Sequence, residues 1–267
     1  MTDASLPEIS EVDAEGATAE LYARIRSQSG SALVNYVWRH LATIPGGAAE
    51  WCWDVATANE TASAERAIGI AADRDALMLA CAGGPEVSPG PVTVRLIRAY
   101  NRNNPGNLAR VRLLLEALRL LHDGEVTQDS GSPPQVQSVA PVRDSGLPPL
   151  PAVGDLSAAD RTAAEWLARV GPGADSGVDP SLWRHLSVEP GLLPNLAPDL
   201  AAVIGSDEFA EAHARLCRPV QPSHPAQVPD RAVEFDAAAV AQSLRAFATR
   251  IAELTLAGRI VARWCNA

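Results

Sequence analysis

Trp38-Arg39-His40-Leu41-Ala42-Thr43-Ile44-Pro45-Gly46 and Trp183-Arg184-His185-Leu186-Ser187-Val188-Glu189-Pro190-Gly191 stand 145 positions apart in a chain of 267 residues. Seven of the nine paired positions are identical or closely similar, and they include the tryptophan, the Arg-His pair and the closing Pro-Gly. In a chain with six tryptophans, that agreement marks an internal duplication. Fainter echoes extend it. Ala19-Glu20-Leu21-Tyr22-Ala23-Arg24-Ile25 matches Ala164-Glu165-Trp166-Leu167-Ala168-Arg169-Val170 at the same offset. Arg98-Ala99-Tyr100 matches Arg245-Ala246-Phe247 at an offset of 147, and Leu6-Pro7 is echoed by Leu150-Pro151.

Apolar residues recurring at three and four positions predict helices over 14–25, 33–43, 48–58, 61–82 and 92–121. The second half predicts helices over 192–204, 207–217 and 233–264. Tyr100-Asn101-Arg102-Asn103-Asn104-Pro105-Gly106-Asn107-Leu108, with four asparagines and a Pro-Gly, is expected to interrupt the longest of them. No alternating strand pattern is present, so the expected class is all-α. The expected architecture is two pseudo-symmetric helical repeats, 1–122 and 152–267, packed around a central cleft. Residues 123–151, rich in Gly, Ser, Pro and Gln, form a long linker expected to cross the surface.

Composition removes whole classes of function. The net charge of −10 argues against a nucleic-acid backbone or an anionic membrane as partner. All 22 basic residues are arginine, which excludes a Schiff-base lysine, a Walker-A lysine and a Ser-Lys dyad. Cys52, Cys81, Cys217 and Cys265 form no Cys-x-x-Cys pair and read as buried, reduced, small apolar residues, in a spacing poor for zinc. Met1-Thr2-Asp3-Ala4 starts no signal peptide, and no uninterrupted apolar run reaches the ~18 residues of a membrane span. A soluble, cytoplasmic protein is expected, and self-association into a homodimer stays open.

A pocket between duplicated halves is a natural ligand site, and positions where the copies differ chemically are the informative ones. Asp179 falls opposite Val34. It reads either as a general base or, beside Pro180, as a helix-start cap. Thr61 and Glu65 share a helix face, as a pocket hydroxyl and carboxylate or as an N-cap with a dipole-favoured acid. The asparagine cluster, Asn101 to Asn107, could hold a water or a substrate oxygen, or cap a helix break. His40 and His185, being duplicated, read as structural, and Arg39 and Arg184 as partners for helix ends or carboxylates. Trp38, Trp51, Trp53 and Trp183 read mostly as core, with one or two reaching the pocket.

At the duplicated Trp-Arg-His-Leu-x-x-x-Pro-Gly stretch, with the asparagine segment and the Thr61-x-x-x-Glu65 spacing, the chain resembles the group I 2-haloacid dehalogenases. The resemblance covers most of the chain. It implies two all-α repeats and cofactor-free hydrolytic loss of halide from C2 of a short 2-haloalkanoic acid, by direct attack of water. Asp179 would activate that water, with Asp175 as a second candidate. Asn107 or Asn104 would hold it, and Thr61 and Glu65 would support the site. Tyr36, Trp38 and Trp183 would line the substrate and leaving halide. A helix start or an arginine would neutralise the substrate carboxylate. The register of Asp179, between Val178 and Pro180, departs from a clear match. The alternative is therefore an inactive or repurposed member binding a small organic acid or a protein partner. Alkylhydroperoxidase-like helical proteins share an aromatic-Arg-x-Leu pattern, but their peroxidase chemistry uses Cys-x-x-Cys, which is absent.

Overall fold

The computed structural model describes residues 6–31, 33–59, 61–81, 83–85, 87–123, 146–218, 226–228 and 233–267. The chain is helical, and no strand occurs among these residues. The first five helices are α1 (Gly16–Ser29), α2 (Tyr36–Leu41), α3 (Ala48–Ala58), α4 (Ala62–Ala80) and α5 (Pro91–Asp123). After the linker come α6 (Ala158–Ala168), α7 (Ser181–Leu186), α8 (Leu192–Ile204), α9 (Asp207–Cys217) and α10 (Ala237–Trp264). Two short 3-10 turns, Val153–Asp155 and Ala174–Ser176, flank α6. Both short Trp-Arg-His-Leu helices begin two residues before their tryptophan, so α2 and α7 start 145 positions apart.

The two longest helices, α5 and α10, pack together and carry the core. From Ile251 to Val261 every residue of α10 is buried, as expected of a helix enclosed on all sides. The short helices cross over. The α2 helix packs on α10, where the Tyr36 ring meets Phe247 edge-on at 5.2 Å and the His40 ring lies 5.5 Å from it. The α7 helix packs on α5, where the His185 ring lies 5.6 Å from Tyr100. Each Trp-Arg-His-Leu helix thus reaches the long helix of the other half, and each duplicated histidine meets an aromatic there. His40 bonds the Pro7 carbonyl at 2.8 Å and the Ser243 hydroxyl at 3.0 Å.

One expectation is corrected. The asparagine segment does not interrupt α5, which runs through Pro105 without a break. A mid-helix proline costs about 3 kcal/mol because it removes an N–H and crowds the previous turn. Tertiary contacts offset that cost: Asn101 donates to the Gly258 carbonyl of α10 at 3.0 Å, and Asn103 to the Ser31 hydroxyl at 3.0 Å. The same residues that disfavour helix in isolation anchor this one to its neighbours. The linker expectation falls mostly on 124–145, outside the described residues. No helix among the described residues is long and apolar enough to cross a membrane.

Both Pro-Gly endings of the repeated stretch place glycine at positive φ, +83° at Gly46 and +80° at Gly191. Their surroundings differ. A β-carbon at Gly46 would lie 2.5 Å from the Glu234 carbonyl oxygen, whereas none of the surroundings comes within 4 Å at Gly191. Gly191→Ala should cost about 1–2 kcal/mol from left-handed backbone strain alone. Gly46→Ala should cost clearly more, because a backbone carbonyl must also move. Urea unfolding of the two variants checks the order; equal losses would refute it.

Candidate functional site

A cavity of about 610 Å³, walled by both apolar and polar side chains, opens along one face of α5. Asn103, Gly106, Asn107 and Arg110 follow one another at helical spacing and all face it. Tyr36 and Trp38 of α2 form a second wall, and Glu65 of α4 a third. Ser10, Glu11 and Val12 cover one side, and Leu147 to Leu150 close another with Ser181 and His185 of α7. The described end of the linker therefore lines the cavity, a role its composition did not announce.

Local bonding fixes the walls. Asn35 caps α2 by accepting from the Val37 N–H at 3.3 Å. Glu11 accepts from the Val34 N–H at 3.0 Å and pairs with Arg26 at 2.7 Å, which pins the irregular 6–13 segment beside α2. Tyr36 donates a short bond to the Leu6 carbonyl. Burial pushes the Tyr36 hydroxyl well above the usual phenol range, with the charges of Glu8 and Asp179 adding to the effect. Trp38 donates its indole N–H to Asn107 Oδ1 at 3.2 Å, and Asn107 Nδ2 donates back to the Asn103 carbonyl at 3.1 Å. Asn107 is thus largely committed within the wall. Asn104, 2% exposed, leaves Nδ2 without an acceptor among the described residues, so its amide retains capacity.

Of the residues singled out by sequence, Tyr36, Trp38, Glu65, Asn104 and Asn107 line the cavity. Thr61, Trp183, Asp179 and Asp175 do not. Thr61 occupies the N-cap position of α4 without a side-chain cap bond, and its carbonyl accepts from the Glu65 N–H at 2.8 Å. Trp183 is fully enclosed in the core. Asp175 is exposed on the 3-10 turn. Asp179 does not cap α7, whose N-cap is Pro180. Its carboxylate instead pairs with Arg184 at 3.2 Å, without the alignment of a hydrogen bond, and stands about one-third exposed. Its charge is still felt by Tyr36 and Tyr100 on the cavity wall.

Two groups were missed. His185, read as structural, also lines the cavity, where Tyr100 Oη bonds its Nδ1 at 2.7 Å. Burial pushes its pKa down to about 4, against the opposing pull of the Pro148 and Pro149 carbonyls. The second is Arg110. It lines the cavity 5.8 Å from the Trp53 ring and forms no ion pair within 4 Å among the described residues. Burial pushes its guanidinium below the usual value, and the nearby Glu65 carboxylate pulls it back up. Gly106 makes room for both: a β-carbon there would stand 2.9 Å from Arg110 Nη1 and 2.9 Å from Glu65 Oε2. Arg39, a buried cavity arginine, is already paired with Glu8 at 3.1 Å.

Among the described residues no three His, Cys, Asp or Glu side chains cluster closely enough to hold a metal ion. Comparison with known protein families and with characterised proteins finds no match.

Proposed function

We propose that this protein is a hydrolase releasing halide from 2-haloalkanoic acids, built as two copies of one helical plan with its site in the cavity beside α5. The observation that carries this reading is the meeting of Tyr36, Trp38, Glu65, Asn104 and Asn107 in one cavity, although the sequence scatters them over three helices. In this reading Asp179, which lies outside the cavity lining but whose charge reaches Tyr36 and Tyr100 on its wall, takes a proton from water. The water oxygen bonds C2 as the carbon–halogen bond breaks, and halide leaves with the electron pair against the aromatic wall. Asn104 and Asn107 hold the water in line. The crossed contacts of α2 on α10 and α7 on α5 support the two-copy plan, since equivalent residues make equivalent contacts.

Wild-type protein is expected to release halide from racemic 2-chloropropionate, and Asp179→Asn to lose at least ~100-fold, the scale of general-base loss. Equal rates would remove Asp179 from the mechanism and leave Glu65, tested by Glu65→Gln, as the cavity carboxylate. A role in binding small acids without hydrolysis is favoured by one observation, the pairing of Asp179 with Arg184 outside the cavity lining. Absence of halide release from every haloacid tried would select that reading.

A further inference from the structure

The reading above leaves two properties of the ligand unassigned: what meets its charge, and how large it is. We propose that Arg110 holds the carboxylate of a monocarboxylic acid, and that an apolar tail well beyond three carbons fills the rest of the cavity. This rests on the cavity being the acid site, and it does not depend on whether hydrolysis follows.

The charge argument begins with composition. A chain without lysine must meet a buried carboxylate with arginine or with backbone N–H groups. Arg39 faces the cavity but is taken by Glu8 at 3.1 Å, with its guanidinium also lying over Tyr36. Arg110 is half-buried and faces the same space. The Trp53 ring at 5.8 Å restricts its plane, and no carboxylate of the described residues comes within ion-pair distance. A desolvated guanidinium presents two parallel N–H groups that match a carboxylate. Glu65 stands beside it across Gly106. That neighbour repels a second ligand carboxylate, so monocarboxylates are preferred over dicarboxylates.

The size argument comes from volume and walls. At about 610 Å³ the cavity falls within the roughly 300–1,000 Å³ of sites that enclose ligands far larger than a three-carbon acid. Its apolar lining includes Ile25, Leu33, Val34, Leu147 and Leu150. Each methylene buried there should tighten binding about fourfold.

Calorimetric titration of the full chain at pH 7 with propionate, hexanoate, octanoate, octanamide and succinate tests both halves of the proposal. Affinity is expected to climb with chain length from propionate to octanoate, with octanamide and succinate far weaker than octanoate. Arg110→Met should weaken octanoate on the order of 100-fold, as loss of a paired charged bond implies, and leave octanamide unchanged. Arg110→Gln, retaining polarity and length, serves if the methionine variant does not fold. Unchanged octanoate binding in a folded Arg110 variant would overturn the anchor. Propionate binding as tightly as octanoate would overturn the tail, and a wild type that binds none of these acids would overturn both. Halide release from 2-bromooctanoate separates this inference from the dehalogenase reading. Arg110-dependent binding without halide release defeats that reading alone, while halide release indifferent to Arg110 defeats the anchor alone.

Discussion

Glu253→Ala is expected to remove about 3–5 kcal/mol of stability, the usual cost of stranding one member of a buried ion pair. Glu253 is fully buried and its partner Arg250 is 2% exposed. Arg250 donates to the Glu253 carboxylate, to the Val178 carbonyl at 3.1 Å and to the Ala168 carbonyl at 2.9 Å. Glu253 also accepts from the Gly173 N–H at 2.7 Å. Together the pair fastens α10 to the end of α6 and to the loop that delivers Asp179 and α7. Burial raises the Glu253 carboxyl, and the Arg250 charge opposes that shift. Truncating Glu253 leaves a dry guanidinium with two carbonyls and no counter-charge. Since a domain has about 5–15 kcal/mol in total, the loss is large. Urea unfolding should show a lower midpoint at unchanged slope. Glu253→Gln keeps an acceptor for Gly173 and should lose less. The double variant Arg250→Met/Glu253→Leu should recover part of the deficit, because an apolar pair needs no desolvation of charge. A Glu253→Ala loss under about 1 kcal/mol would refute the clasp.

The helices were legible because the duplication and the apolar spacing agreed, and the bounds of α3, α8 and α9 coincide with those read from sequence. The continuity of α5 was not legible. Local propensity disfavours helix at Asn-Asn-Pro-Gly, and the compensation comes from Gly258 and Ser31, residues far away in sequence. The cavity was half legible: its aromatic and amide residues were singled out, but Arg110 looked like an ordinary charge on an amphipathic helix. At the 147-residue offset that aligns Tyr100 with Phe247, Gly106 falls opposite Glu253 and Asn103 opposite Arg250. In the second half, large charged side chains fill their surroundings and bond the backbone. In the first half, a glycine and an asparagine leave space. That contrast was present in the letters, but only geometry gives it meaning, because nothing in the sequence says whether Arg250 and Glu253 face each other or water.

Stability is expected to fall as pH drops from about 6.5 toward 4, and His185 should account for about 3 kcal/mol of that fall. In the folded chain its pKa is pushed down to about 4, chiefly by burial, from an ordinary value of 6.5. The unfolded chain therefore binds a proton in a window where the native ring refuses it. The His185 contribution is fully present above pH 6.5 and is lost as pH falls through the native value. His40 and His213 are also lowered by burial, so they act with the same sign. The local geometry explains why His185 resists charge. With Tyr100 donating, Nδ1 accepts and the proton resides on Nε2. Burial likewise pushes the Tyr100 hydroxyl up to about 12, so the phenol stays a donor throughout this window. A proton added to Nδ1 would displace that bond and place a charge beside Arg184 and Arg39, both of which oppose it. Because His185 joins Tyr100 of α5 to the cavity wall, the same protonation would loosen the site. Urea midpoints at pH 7.5, 5.5 and 4.5 should decline steeply in the wild type and less steeply in His185→Gln, which cannot charge. The variant is expected to be weaker than wild type at pH 7.5 and to close the gap as the solution is acidified. Parallel declines would show that His185 is protonated as readily in the folded chain as in the unfolded one.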